Sequence, residues 1–125
     1  MELKDYFKRT RGTAILSTSD GKGKIDVSVY PLRPHMADEN TVVLIMERNE
    51  ALRNLQANPQ AVLVFLEREE KLQGVRLMLR QTGLEKEVGV GFSLRSKKYS
   101  AGNAVERFLV YFEVQQTFPL VESAE

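Results

Sequence analysis

The stretch GTAILSTSDGKGKIDVSVY, residues 12–30, decides the fold, because it predicts two antiparallel strands joined by a tight turn. Residues 12–19 read as a strand, and Asp20-Gly21, followed by Gly23, is a typical hairpin signal. In the returning segment, residues 25–30, apolar side chains at odd positions alternate with polar side chains at even positions. We therefore expect a hairpin whose second strand points its odd-numbered row into a core and its even-numbered row away from it.

The sequence on both sides of this hairpin predicts more strands and two short helices. Leu3, Tyr6 and Phe7 are spaced as on one face of a helix that covers one end of the sheet. A second helix, EALRNLQA, begins after Asn49, which is a good N-cap residue. Further strands are predicted at TVVLIM (41–46), AVLVFL (61–66), VRLMLRQTG (75–83) and ERFLVYFEV (106–114). The first two of these are apolar without alternation, as expected of strands that are covered on both faces.

Six strands with hairpin-like connections favour a mainly β fold with short helices, namely a six-stranded antiparallel barrel that forms one domain over residues 1–125. Pro31 and Pro34 lack backbone donors and interrupt the ladder, so residues 32–40 are predicted to be a long corner. The segment 84–104 mixes helix formers with glycines and allows either an irregular helix or a loop.

The composition excludes several classes of function. The chain has 18 basic and 17 acidic residues, and this balance gives no general attraction to nucleic acid or anionic lipid. It has no cysteine and a single histidine, which excludes thiolate catalysis and a cysteine- or histidine-rich metal site. No segment approaches the ~20 apolar residues that a membrane span needs. We therefore expect a cytoplasmic protein with no membrane or nucleic-acid partner.

Two features of the sequence are suited to binding an anion. A helix that begins after Asn49 has unpaired backbone N–H groups at that end, and Arg33, Arg48 and Arg53 could add guanidinium donors. The single histidine, His35, lies in the predicted corner, where it could donate to a ligand or titrate near neutral pH. The structural alternatives are solvated arginines and a histidine that caps a loop carbonyl. The residues alone do not decide between these interpretations.

The order of these elements resembles that of small members of the pyridoxamine 5'-phosphate oxidase-like, FMN-binding split-barrel family. The resemblance extends from about residue 2 to Leu120, and its most specific part is the NL-x-x-NP-x-A pattern in LRNLQANPQA, residues 52–61. The first hairpin and RFLVYFEVQQTFPL, residues 107–120, match as well. The resemblance implies a split barrel that forms a homodimer, with FMN and a small-molecule ligand bound at the subunit interface.

The resemblance also implies which residues hold the cofactor. The ring would contact Val27, Ser28, Val29 and Tyr30, and the ribityl phosphate would lie near Met46, Glu47, Arg48 and Asn49. Pro31 and Pro34 fix the corner beside this strand, so we expect Arg33 and His35 to face the same cleft, where Arg53 could add a donor to the phosphate. At the positions that usually supply hydroxyl and basic donors to the phosphate, this chain has Ile45, Glu50 and Ala51. We therefore expect FMN binding to be weak or incomplete.

Two functions follow from the sequence. The first is an FMN-binding flavoprotein, an oxidoreductase of the pyridoxamine 5'-phosphate oxidase-related group with no substrate specified. The alternative is a cofactor-free binding or structural module that has kept the barrel and lost the flavin. Pyridoxamine phosphate oxidation itself is disfavoured, because VESAE, residues 121–125, carries no basic substrate-binding segment.

Overall fold

Seven antiparallel strands and two short helices make up the fold in the computed structural model, which describes residues 2–31, 33–86 and 106–122. In chain order the elements are α1 Leu3–Arg9, β1 Gly12–Ser19, β2 Ile25–Tyr30, β3 His35–Asp38, β4 Thr41–Glu47, α2 Glu50–Ala57, β5 Gln60–Glu67, β6 Gly74–Lys86 and β7 Arg107–Pro119. The strands form one sheet in the order β2-β1-β5-β6-β7-β4-β3. Among the described residues β2 and β3 are the two edges of this sheet, which is open between them as in a split barrel.

The predicted mainly β class and antiparallel split barrel are confirmed, with one correction to the number of strands. Residues 35–38, which we predicted to lie in a long corner, form β3 and pair with the beginning of β4. Pro31 and Pro34 end the ladder of β2, but the residues after Pro34 keep their N–H groups and form a new ladder. The strand count is therefore seven, not six. Of the ambiguous segment 84–104, residues 84–86 extend β6, and the rest lies outside the described residues.

One face of the sheet forms the hydrophobic core. Every second residue is buried on this inner face along β1, along β6 from Val75 to Leu79 and along β7 from Phe108 to Val114. The alternation of apolar residues in the sequence of the last two segments predicts this burial and is confirmed there. The most deeply buried side chains on it include Leu16, Leu63, Phe65, Leu77, Leu79, Val110 and Phe112. Burying one such side chain completely contributes about 1.5 to 3 kcal/mol, so this face supplies most of the hydrophobic stabilisation.

The two helices cover opposite ends of this core. At the α1 end, the Phe7 ring packs edge-on against Phe65 at a centroid distance of 5.0 Å, and the Tyr6 hydroxyl donates to Glu67 at 2.5 Å. Burial, reinforced by this bond to a carboxylate, raises the pKa of Tyr6. At the α2 end, the buried Asn54 amide donates to the buried Thr18 hydroxyl at 3.2 Å. Both helices were predicted, and each closes one end of the sheet.

The orientation that we predicted for β2 is wrong, because its apolar row points outward. Ile25, Val27 and Val29 are 71%, 59% and 63% exposed, whereas the polar side chains between them are half-buried. Tyr30 packs against the core, and burial raises its pKa to about 12, with a further contribution from the charge of Asp26. Alternation divides a strand into two faces, but it does not say which face meets the core.

The two continuous apolar strands are covered on one face only within the described residues. The outward side chains of β5 are half-buried, and on β4 Val43 is buried while Ile45 is 43% exposed. Among the described residues, the predicted second cover is therefore missing over Ile45 and only partial over the outward side chains of β5. In the described part of the chain, neither helix has the length or the apolar character needed to cross a bilayer.

Candidate functional site

An apolar surface spans the outward side of three neighbouring strands. This surface, called the outer face below, consists of Ile25, Val27 and Val29 of β2, Thr13, Ile15 and Ser17 of β1, and Val62, Val64 and Leu66 of β5. The strand register makes it continuous, because Ile15 lies directly opposite Val29 on one side and Val64 on the other. A large apolar area that includes an edge strand is typical of a surface that a ligand or another subunit covers.

A shallow depression lies on the outer face at the α2 end. Its volume is about 270 Å³, and its lining includes Ile25 and Val62 as apolar walls and Ser17 and Gln60 as hydrogen-bonding groups. Uncharged donors and acceptors beside apolar walls are suited to a flat heteroaromatic ring, which needs packing on its faces and hydrogen bonds at its edges.

Three arginines lie at the opposite end of the outer face, the α1 end. Arg11, Arg33 and Arg68, called the arginine row below, line one cleft of about 420 Å³ together with Gly12 and Pro31. The Arg68 N–H donates to the Arg11 carbonyl at 2.9 Å, which extends the β1–β5 ladder by one pair and fixes these two residues side by side. All three side chains are exposed, and in the described part of the chain none of them forms an ion pair.

The single histidine lies beside α1. His35 is exposed, pairs with Val43 in the sheet, and lines a recess of about 230 Å³ with Arg33, Lys4 and Lys8. Arg33 borders both this recess and the cleft of the arginine row. Among the described residues, the two recesses at the α1 end are lined by five basic side chains, Lys4, Lys8, Arg11, Arg33 and Arg68, and by no carboxylate.

The beginning of α2 is the second place where we predicted an anion site, and its charged groups already have partners. Asn49 caps the helix as predicted, since its side chain accepts from the Leu52 N–H at 2.9 Å. The Arg48 guanidinium donates to Glu106 at 3.2 Å, and Arg53 pairs with Glu50. The Arg48 and Arg53 guanidinium groups therefore donate to carboxylates and are not available to a phosphate.

Glu50 adds a negative charge at the same helix end. Lys24 lies 2.8 Å from its carboxylate. This hydrogen bond, together with the charge of Arg53, lowers the pKa of Glu50, so the carboxylate is ionised at neutral pH. A phosphate placed here would meet Glu50 at close range, with exposed Glu47 on the preceding strand. The beginning of α2 is therefore a poor fit for the phosphate of FMN.

The predicted cofactor residues do not form one cluster in the described chain. Arg33 and His35 lie at the α1 end, whereas Arg48, Asn49 and Arg53 surround the beginning of α2. On β2, Val27 and Val29 point outward, while Ser28 and Tyr30 point to the inner face. Met46 is 1% exposed and packs in the core, so its side chain is closed to a ligand.

Two residues of the arginine row were missed by the sequence analysis. Arg11 lies one residue before β1, and Arg68 lies one residue after β5. Side chains alternate between the two faces of a strand, so the odd number of Arg11 and the even number of Arg68 place them on the same side as the outward residues of β1 and β5. This alternation can be counted in the sequence. It becomes informative only when β1 and β5 are known to be neighbours, which requires pairing across about fifty residues.

Comparison with known proteins places this geometry in a known fold. No family model and no curated protein matches the chain. An FMN-binding protein from Syntrophomonas wolfei superimposes with a TM-score of 0.71 at 14% identity, over 98% of this chain and 86% of that one. A putative pyridoxamine 5'-phosphate oxidase from Listeria innocua gives 0.61 at 12% identity, over 95% and 98%. The chain has the pyridoxamine 5'-phosphate oxidase-like split-barrel fold.

The split-barrel fold does not by itself decide the ligand. A heme-binding protein from Mycobacterium smegmatis also shares it, with a TM-score of 0.60 at 17% identity over 94% of this chain and 52% of that one. The ligand therefore depends on the surfaces of this chain and not on the fold alone.

Proposed function

We propose that this split-barrel chain is a flavin-binding protein that forms a homodimer and holds FMN at the interface between its two subunits. The observation that carries the proposal is the outer face, an apolar surface of three strands that residues 2–31, 33–86 and 106–122 leave uncovered. The solved structures with the same fold that bind or are named for flavin chemistry support the choice of ligand.

The exposed apolar area of the outer face is the reason for proposing a homodimer. Val27 and Val29 are both more than half exposed on an edge strand, and the half-buried rows of β1 and β5 continue the same surface. A second copy offers an identical surface, and a twofold axis lets the two outer faces meet, with the flavin held between them. Nothing in the described part of the chain covers this face, so the interface supplies the second cover that β5 lacks.

The flavin ring fits the same surface. Val27, Val29 and Ile15 provide apolar contacts for its faces, and Ser17 and Gln60 offer hydrogen bonds at its edge. A bound flavin would supply the redox chemistry, while the protein positions the ring and keeps water from it. The proposed activity is therefore that of an oxidoreductase. The side chains around the uncovered face of the ring would determine its substrate class.

Titration of FMN tests this proposal. Adding the purified protein to FMN should quench the flavin fluorescence and saturate at one flavin per chain, because each subunit contributes one outer face. Dissociation constants weaker than about 1 mM, near 4 kcal/mol of binding free energy, would contradict flavin binding.

The second candidate is the cofactor-free module, which the poor fit at the beginning of α2 favours. The ion pairs of Arg48 and Arg53 would then be purely structural. The same experiment separates the two functions if it is combined with sedimentation. A stable dimer that binds neither FMN nor riboflavin would support the module and exclude the flavoprotein.

A further inference from the structure

Three arginine side chains that have no carboxylate partner in the described part of the chain lie at the α1 end, whereas the sequence predicts an anion site at the beginning of α2. We propose that the arginine row, Arg11, Arg33 and Arg68, is the anion site of the protein and that it takes the phosphate of the flavin. The second half of this statement rests on the proposed flavin function.

The α1 end and the beginning of α2 differ in the positive charge that they leave available to a ligand. At the beginning of α2, Arg48 and Arg53 are paired with carboxylates, and Glu50 carries a negative charge into the site. At the α1 end, three guanidinium groups border one cleft, and in the described part of the chain none forms an ion pair. An arginine without a carboxylate partner keeps its full set of donors for a ligand.

The arginine row continues the outer face. Arg11 and Arg68 have the outward parity of β1 and β5, and Pro31 of the cleft has the outward parity of β2. Along β1, four residues separate Ile15, which lies opposite Val29, from Arg11, a distance of about 13 Å. A ring on Val29 and Ile15 with an extended ribityl chain directed along β1 would therefore bring its phosphate within reach of long arginine side chains.

Three guanidinium groups match the charge of a phosphate monoester better than that of a carboxylate. Three guanidinium groups exceed what a single carboxylate can neutralise, whereas a phosphate monoester carries close to two negative charges at neutral pH. Guanidinium groups also match phosphate oxygens in pairs, with two parallel N–H···O bonds. The cleft volume of about 420 Å³ leaves room for a phosphate with part of its ester chain.

The test measures FMN and riboflavin in parallel on single-arginine variants. Arg68→Gln and Arg11→Gln should each weaken FMN binding by about 10- to 100-fold, because each removes hydrogen bonds to a charged group. Riboflavin lacks the phosphate, so its affinity should change less than about twofold. Arg53→Gln is the matched control, since it removes one positive charge at the beginning of α2 and should leave both affinities unchanged. A selective loss of FMN binding in Arg53→Gln, with no loss in Arg68→Gln, would overturn the proposal.

A second probe tests anion binding at the arginine row independently of flavin binding. Phenyl phosphate, added to ¹⁵N-labelled protein, should shift the side-chain Nε–H signals of the arginine row and should do so more strongly than benzoate at equal concentration. Absence of these shifts would overturn the anion site whatever the flavin results are. If phenyl phosphate binds at the row while FMN and riboflavin do not bind, the proposed flavin function fails and the anion site stands with another phosphate ester as its ligand.

Discussion

Replacing Val27 with aspartate (Val27→Asp) should turn a dimer into a monomer. Val27 is 59% exposed in the middle of the outward row of edge strand β2, and the proposed interface would bury it. A carboxylate introduced there would lose its hydration on association without gaining a partner. We expect a cost of about 3 kcal/mol or more, which weakens dimerisation by over a hundredfold. Sedimentation at micromolar concentration should then report about 14.2 kDa for the variant and about twice that mass for the unchanged chain.

Leu72→Asp provides the matched control for this result. Leu72 is 69% exposed in the connection between β5 and β6 and does not belong to the outer face. The same change of an exposed apolar side chain to aspartate should leave the dimer intact there. A monomeric unchanged chain, or equal effects of the two variants, would contradict the placement of the interface.

Replacing Phe65 with alanine (Phe65→Ala) should cause the largest loss of stability among the changes considered. Phe65 is fully buried on β5, and its ring makes edge contacts with Phe7 at 5.0 Å and with Tyr6 at 5.9 Å between centroids. Truncation leaves a cavity where α1 meets the sheet, so the free energy of unfolding should fall by about 3 to 5 kcal/mol. Urea unfolding at one fixed protein concentration measures this loss, because a dimer makes apparent stability depend on concentration.

Phe118→Ala is the control for the stability measurement. Phe118 is 36% exposed near the end of β7, where its ring lies under the Arg76 guanidinium. Its truncation removes a surface contact and should cost less than about 1 kcal/mol. Equal losses for the two phenylalanines would mean that α1 does not dock on Phe65 in solution.

Most elements of the fold could be predicted from the sequence because their signals are local. The hairpin at residues 12–30 was predicted by its Asp-Gly turn, and in the structure the Asp20 carboxylate accepts from the Lys22 and Lys24 N–H groups at 2.7 and 3.0 Å. The N-cap at Asn49 was predicted by residue type alone and is confirmed. β3 was missed because two prolines nearby dominate the local pattern, whereas its pairing with β4 depends on the sheet as a whole.

The candidate site was harder to predict because it depends on which strands are neighbours. The apolar row of β2 was assigned to the core, since a single chain offers no sign that an outward row meets a partner. The arginine row joins residues from the beginning of β1, the end of β2 and the end of β5, which are far apart in sequence. The importance of Arg11 and Arg68 therefore depends on tertiary register, which local patterns do not contain.

The central claim is that a flavin binds on the outer face of the sheet. The most direct test is an NMR titration of ¹⁵N-labelled protein with FMN, followed through backbone amide and arginine side-chain signals. We expect saturable shifts for Val27, Val29 and Ile15 and for the arginine row, with little change in α2 from Glu50 to Ala57. Shifts concentrated around Asn49 and Arg53, with the outer face unchanged, would contradict this claim.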